Sequence, residues 1–227
     1  MGILSGKPAD STLHVHPVLN NTNEFGGKDA EISTISSLAR KKMFKHNERR
    51  DKRRYDAAQW HSDIQFEAKP ADYTSLRLTQ LPSSGGDTLW ASGYELYDRF
   101  SEPYRTFLEG LTATFSGDGF LKAAAADPEN VFVHEGPRGV PANVGGHLSA
   151  VHPVVRTNPV TGWKSIYAIG PFPKFINELD SQESDELLAL FQRRILDFHD
   201  ITVRFKWRNE NDIGESAYVV FLVGRIG

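Results

Sequence analysis

The segment Trp60-His61-Ser62-Asp63-Ile64-Gln65-Phe66 changes character with a period of two. That is the period of a half-buried strand. It predicts Trp60, Ser62, Ile64 and Phe66 on one face and His61, Asp63 and Gln65 on the other. An imidazole and a carboxylate two residues apart on a strand lie close enough to share one ion. Taken alone, the His-X-Asp triplet is a weak signal, because a hydrogen-bonded pair at a strand edge is the commoner explanation. Its meaning depends on the surrounding sequence.

Working outward, Leu76 and Leu78 continue the alternation in a second strand, and Ser83-Ser84-Gly85-Gly86-Asp87 is a turn leading into a strand at Thr88-Leu89-Trp90. Tyr94, Tyr97 and Phe100 form the apolar stripe of a first helix. Ser101 caps a second, with Pro103 in its first turn and Phe107, Leu108 and Leu111 on its buried side. The stretch from 116 to 147 reads as a long loop containing an Ala-rich helical turn. A hairpin is expected between 151–157 and 165–169, turned by Asn158-Pro159-Val160-Thr161-Gly162. The clearest helix starts at Asp180 with Glu183 in a capping-box pattern, and Leu187, Leu188, Phe191, Ile195 and Phe198 keep the helical period. Ile201, Val203, Phe205 and Trp207 then alternate as a strand. Strands dominate, and the helices are inserted between them without regular alternation. The pattern therefore predicts a mainly β fold, a sandwich or jelly roll with helical decoration, over a doubly wound parallel sheet.

Composition narrows the chemistry. The 227 residues are 39% hydrophobic and 11% aromatic, enough for a real core, and there is no cysteine. Disulfides, Cys-ligated zinc, iron–sulfur clusters and thiol catalysis are excluded, so any metal must be held by His, Asp or Glu. No apolar run approaches the roughly 20 residues of a membrane span. The start of the chain lacks the layout of a signal peptide. The expectation is a soluble, cytoplasmic protein with no membrane partner. The net charge of −3 conceals a basic run at 40–54, with nine Lys or Arg against Glu48 and Asp51. A solvated loop or helix face accounts for it better than nucleic-acid binding does, since only Phe44 and Tyr55 lie in or beside it for base stacking.

Three stretches taken together carry more information than any one of them: Trp60-His61-Ser62-Asp63, Leu81-Pro82-Ser83-Ser84-Gly85-Gly86-Asp87-Thr88-Leu89-Trp90 and Val151-His152-Pro153-Val154-Val155-Arg156-Thr157. In this order they resemble the taurine dioxygenase-like (TauD/TfdA) family of Fe(II)- and 2-oxoglutarate-dependent dioxygenases. The resemblance runs from about Leu13 to Ile213, through Thr161-Gly162, the helix starting at Asp180, Val203-Arg204-Phe205-Lys206-Trp207 and Asn211-Asp212-Ile213. It implies a single domain over 1–227 built on an incomplete double-stranded β-helix (jelly roll) core. It also implies Fe(II) as cofactor, 2-oxoglutarate and O2 as cosubstrates, and a small organic acid as substrate, with an organosulfonate such as taurine or an alkanesulfonate foremost. Two histidines and one carboxylate on one face of an octahedron, with three positions left open, are the ligand set of such iron sites.

By position, the resemblance makes His61 and Asp63 the first two iron ligands and Thr88 the threonine whose hydroxyl binds a carboxylate of 2-oxoglutarate. His16 falls where taurine enzymes place a sulfonate-binding histidine, and Phe172 falls on the substrate pocket. Leu19 stands where those enzymes use a tyrosine, and Gly170-Pro171-Phe172-Pro173 departs from the family wording. His152 belongs to a strand that is structural in the family and is not assigned as a ligand. After Ile213 the family continues to a distal histidine ligand and a cosubstrate arginine. Here 214–227 diverges: no histidine follows His199, and Arg225 has no counterpart by alignment. The expectation is a partial domain shortened at both ends. Gly214-Glu215-Ser216 can be encoded with a splice-donor-like GTGAGT, so read-through into an intron would explain the change of sequence. Val219 to Val223 would then be either a replacement strand or an aggregation-prone tail. The alternatives left open are a catalytically inactive relative and a polyanion-binding module on the basic run, and homo-oligomerisation is compatible with each.

Overall fold

The computed structural model describes residues 13–20, 31–33, 35, 60–129, 131–208, 213–217 and 221–225. The basic run at 40–54 lies outside them. The chain divides into two compact units. The smaller takes Met1–Lys52, Glu67–Lys69 and Gly117–Ser149, and the larger takes Arg53–Phe66, Pro70–Ser116 and Ala150–Gly227.

In the smaller unit β1 (Val18–Asn20) pairs antiparallel with a strand at Val131–Val133. That second strand follows a helix at Asp118–Ala126. The expected loop from 116 to 147 is thus more ordered than its Gly and Pro content suggested, because Ala123 and Val131 are both buried. Arg138 ties together several of the described residues of this unit. Its side chain is 1% exposed and grips Glu67 with two parallel bonds, Nε to Oε1 at 2.5 Å and Nη2 to Oε2 at 2.9 Å. Its Nη1 donates to the carbonyls of His134 and Gly145 at 2.8 and 2.9 Å. His14 Nε2 lies 3.2 Å from Glu67 Oε1. Burial alone would raise the pKa of Glu67, but the hydrogen bonds and charges of His14 and Arg138 outweigh it and hold the carboxyl below its ordinary value of 4.5.

In the larger unit the strands are β2 (Tyr73–Arg77), β3 (Thr88–Ser92), β4 (Thr112–Ser116) and, numbering Val131–Val133 as β5, β6 (Ser149–Pro153), β7 (Val155–Thr157), β8 (Lys164–Ile166), β9 (Pro173–Ile176), β10 (Thr202–Phe205), β11 (Ile213–Ala217) and β12 (Phe221–Arg225). The helices are α1 (Gly93–Asp98) and α2 (Glu102–Glu109), then, numbering Asp118–Ala126 as α3, α4 (Ser181–Asp197). The sheets run in the orders β6-β4-β9, β10-β3-β12, β11-β2 and β7-β8. Ala113 and Phe115 on β4 and Ile176 on β9 are almost fully buried, as are Leu187, Phe191 and Ile195 at helical spacing on α4. The Asp180–Glu183 capping box is present at the start of α4. Ser184, buried one turn in, accepts the Ile176 N–H at 2.8 Å and joins α4 to β9. Among the described residues no helix is long and apolar enough to cross a membrane.

Several expectations are corrected. Residues 60–66 contain no strand; 60–62 are irregular and 63–66 form a turn. The half-buried strand expected here would expose every second side chain, whereas Ile64, Gln65 and Phe66 are buried in succession within the turn. The hairpin is shorter than expected. Val155–Thr157 pairs with Lys164–Ile166, while Ser149–Pro153 pairs with β4. Asn158 Oδ1 accepts the N–H groups of Val160 and Thr161 in its turn. Phe107 and Val203 are exposed, because Leu108 takes the buried side of α2 and Val203 sits on an edge strand. Ser101 starts α2 without a side-chain capping bond. In the divergent end, by contrast, the described residues agree with the replacement-strand alternative: Ile213–Ala217 pairs with β2 and Phe221–Arg225 with β3.

Replacing Arg138 with Met is expected to cost about 3–5 kcal/mol, because it leaves the Glu67 charge buried without its main partner. The wild-type contribution of Glu67 is present above pH 4.5 and is lost as pH falls through its depressed folded value. Urea denaturation of wild type and Arg138→Met across pH 3–7 checks both statements, and the acid-side slope should shrink in Glu67→Gln.

Candidate active site

The turn at 60–66 brings His61 and Asp63 together by a different route from the one the alternation predicted. His61 Nε2 stands 3.2 Å from Asp63 Oδ1, and both side chains reach solvent, with relative exposures of 30% and 44%. Ile64, immediately after the pair, adopts φ +50°, the left-handed region that a β-branched residue rarely enters. That conformation costs about 1–3 kcal/mol. Burying the Ile64 side chain stabilises by about 1.5–3 kcal/mol, which is enough to hold the turn. Phe172, entering β9, presents its ring edge-on to His61, with centroids 6.1 Å apart, and to Phe66, with centroids 5.0 Å apart.

Thr88 lies in the same unit as the first residue of β3 and is 3% exposed. Its Oγ1 accepts the indole N–H of Trp207 at 3.0 Å. A hydroxyl that accepts in this way keeps its own hydrogen for donation. In the ladder Thr88 stands opposite Phe205 on one side and opposite Arg225 on the other. Arg225 is the residue that sequence reasoning left unassigned. Only the pairing of β12 with β3, a contact remote in sequence, gives it a place. Next to Thr88, Asp87 accepts from Arg204 Nε at 2.6 Å.

The sequence-derived residues therefore fall into groups. His61, Asp63 and Phe172 converge, while Thr88 is on the β10-β3-β12 sheet of the same unit. His16 belongs to the smaller unit, where its Nδ1 accepts the Val18 N–H at 3.2 Å and its ring meets Phe120 edge-on at 5.2 Å. His152 packs its ring against Phe115 and Tyr167. Among the described residues, no group of three His, Asp or Glu side chains is placed to hold one metal ion.

The fold is mainly strands with inserted helices, and among the described residues these strands do not close into a barrel. It is similar to the crystal structure of a taurine dioxygenase from Burkholderia xenovorans, with a TM-score of 0.58 and 25% identity over 75% of this chain and 51% of that one. This likeness identifies the architecture as an incomplete jelly roll. The chain belongs to the taurine catabolism dioxygenase TauD, TfdA family, whose model matches residues 12–213. It is 46% identical to the alpha-ketoglutarate-dependent dioxygenase btcD of Neocamarosporium betae over 94% of this chain and 62% of that protein. It is 32% identical to the alpha-ketoglutarate-dependent sulfonate dioxygenase of Saccharomyces cerevisiae over 65% of this chain and 33% of that protein. The chain thus spans less than two thirds of the length of these relatives.

One buried group near the site is only weakly compensated. Burial pushes the Tyr167 hydroxyl up to about 12, while the charge and hydrogen bonding of the Arg156 guanidinium beside it pull the other way, and no well-formed hydrogen bond to it is present among the described residues. Tyr167→Phe keeps the ring contacts and removes a hydroxyl whose desolvation Arg156 offsets only in part. Denaturant unfolding is expected to show stability unchanged or raised by about 1 kcal/mol; a loss of more than 1 kcal/mol would reveal a partner for the hydroxyl.

Proposed function

We propose that this chain carries the iron- and cosubstrate-binding half of an Fe(II)- and 2-oxoglutarate-dependent dioxygenase acting on a small organic acid. The observation that carries the reading is the convergence of His61 Nε2 and Asp63 Oδ1 at 3.2 Å inside the family-matched region. An imidazole nitrogen and a carboxylate oxygen are the donor types Fe(II) takes in its oxygenase sites, so the pair fits as two of three protein ligands. Bound with 2-oxoglutarate and O2, Fe(II) supplies the oxidising power to hydroxylate carbon, and the protein supplies position and surroundings.

The chain's own residues would divide that work. His61 and Asp63 would hold the metal, and the Phe172 ring, edge-on to His61, would restrict the swing of the imidazole. Thr88, with its oxygen already accepting from Trp207, directs its hydrogen to a carboxylate of 2-oxoglutarate. Arg225, which pairs with Thr88 in the ladder, is the residue we nominate for the far carboxylate of 2-oxoglutarate. For the substrate we favour an alkanesulfonate over taurine itself. The sulfonate dioxygenase among the relatives supports that class, and Leu19 in place of the expected tyrosine argues against taurine. Phe172 is the proposed substrate contact in the larger unit, and His16 is proposed from the family resemblance alone. A second reading, a non-catalytic relative, is favoured by the lack of a third ligand among the described residues.

Anaerobic titration with Fe(II) and 2-oxoglutarate, followed by the weak visible charge-transfer band, separates the two. The dioxygenase reading expects a saturable band that His61→Ala and Asp63→Ala abolish. It also expects Thr88→Val to weaken 2-oxoglutarate binding about ten- to a hundredfold, the worth of a hydrogen bond to a charged group. No band from folded protein would establish the non-catalytic reading for this chain.

A further inference from the structure

The turn that bears His61 and Asp63 belongs to no sheet, so strand pairing does not fix its backbone. Its fixed points come instead from the segment 167–172. Gly170, at φ +98°, lies backbone against backbone on the start of the turn. A methyl group there would collide with the Trp60 carbonyl oxygen and stand 2.9 Å from His61 Cβ and 3.1 Å from His61 Cα. Only glycine satisfies both the conformation and the approach. At the other end of the turn Gln65, fully buried, donates from Nε2 to the Tyr167 carbonyl at 2.6 Å. Gln65 Oε1 has no partner among the described residues, so the amide is retained at the cost of one unsatisfied acceptor. Phe172 closes the clamp by touching both His61 and Phe66. From α4, Gln192 Nε2 reaches the Gly170 carbonyl at 3.5 Å and ties the clamp to the helix.

We propose that Gly170 and Gln65 are positioning residues: one at each end of the turn, they lock 60–66 against 167–172 and so set His61 and Asp63 at the separation at which they share an ion. The inference rests on the reading of that pair as metal ligands. It assigns a role to Gly170 and Phe172 in the segment packed against the turn. Neither residue touches the metal, and each acts through the backbone that carries His61. Support of this kind around metal ligands is typically worth 10–100-fold in metal affinity.

The test compares wild type, Gly170→Ala, Gln65→Met and His61→Ala in two measurements. Gln65→Met keeps the side-chain volume, removes the bond to Tyr167 and also removes the unsatisfied oxygen, so it should fold even if Gly170→Ala does not. In metal-free protein, amide exchange across 60–66 is expected to quicken about tenfold or more in Gln65→Met and Gly170→Ala, with global unfolding little changed in Gln65→Met. In a Co(II) titration both variants are expected to bind about 10–100-fold more weakly than wild type. Unchanged exchange across 60–66 in the folded variants overturns the positioning role. Co(II) affinity that His61→Ala leaves intact overturns the metal reading on which the inference depends.

Discussion

The burial of the consecutive side chains Ile64, Gln65 and Phe66 inside a turn is the constraint on which the candidate site depends. That turn holds Ile64 in the left-handed region. His61 and Asp63, on the N-terminal side of these residues, reach the surface with Nε2 and Oδ1 3.2 Å apart. The apolar burial of Ile64 and Phe66 offsets the backbone strain. The His61–Asp63 separation is therefore a consequence of core packing on the far side of the same few residues.

That core is assembled from elements with ordinary reasons for their form. The β6-β4-β9 sheet turns Ala113, Phe115 and Ile176 inward, and α4 lays Leu187, Phe191 and Ile195 into the same cluster. Ser184 satisfies a β9 amide that would otherwise be buried without a partner. Tyr167, Ala168 and Ile169 belong to this core, so the segment that leads to Gly170 is anchored before it reaches the turn. Rigidity thus passes from the helix and sheet to a loop that has none of its own.

Much of this was legible in the sequence. The capping box at Asp180, the helical stripe behind it, the strand at Thr88 and the Asn158 turn are all local patterns with local causes, and each is present. The family motifs pointed to His61 and Asp63. What failed was the geometry of 60–66, because alternation of residue type cannot distinguish a strand from a turn whose buried side includes a glutamine. Gln65 is polar, and nothing local marks it as buried; its partner, the Tyr167 carbonyl, lies 102 residues away. Arg225 was illegible for a similar reason, since its position opposite Thr88 follows from the pairing of two strands far apart in the chain. Gly170 carried no signal of its own in the sequence, because its close approach to Trp60 and His61 is a contact across more than a hundred residues.

The central claim is that His61 and Asp63 take one metal ion between them. Pulsed electron paramagnetic resonance of Mn(II) bound to protein labelled with nitrogen-15 at histidine reads this directly. The account predicts a coupling from a directly bonded imidazole nitrogen that His61→Ala removes. Bound Mn(II) without such a coupling, or a coupling that survives His61→Ala, would contradict it.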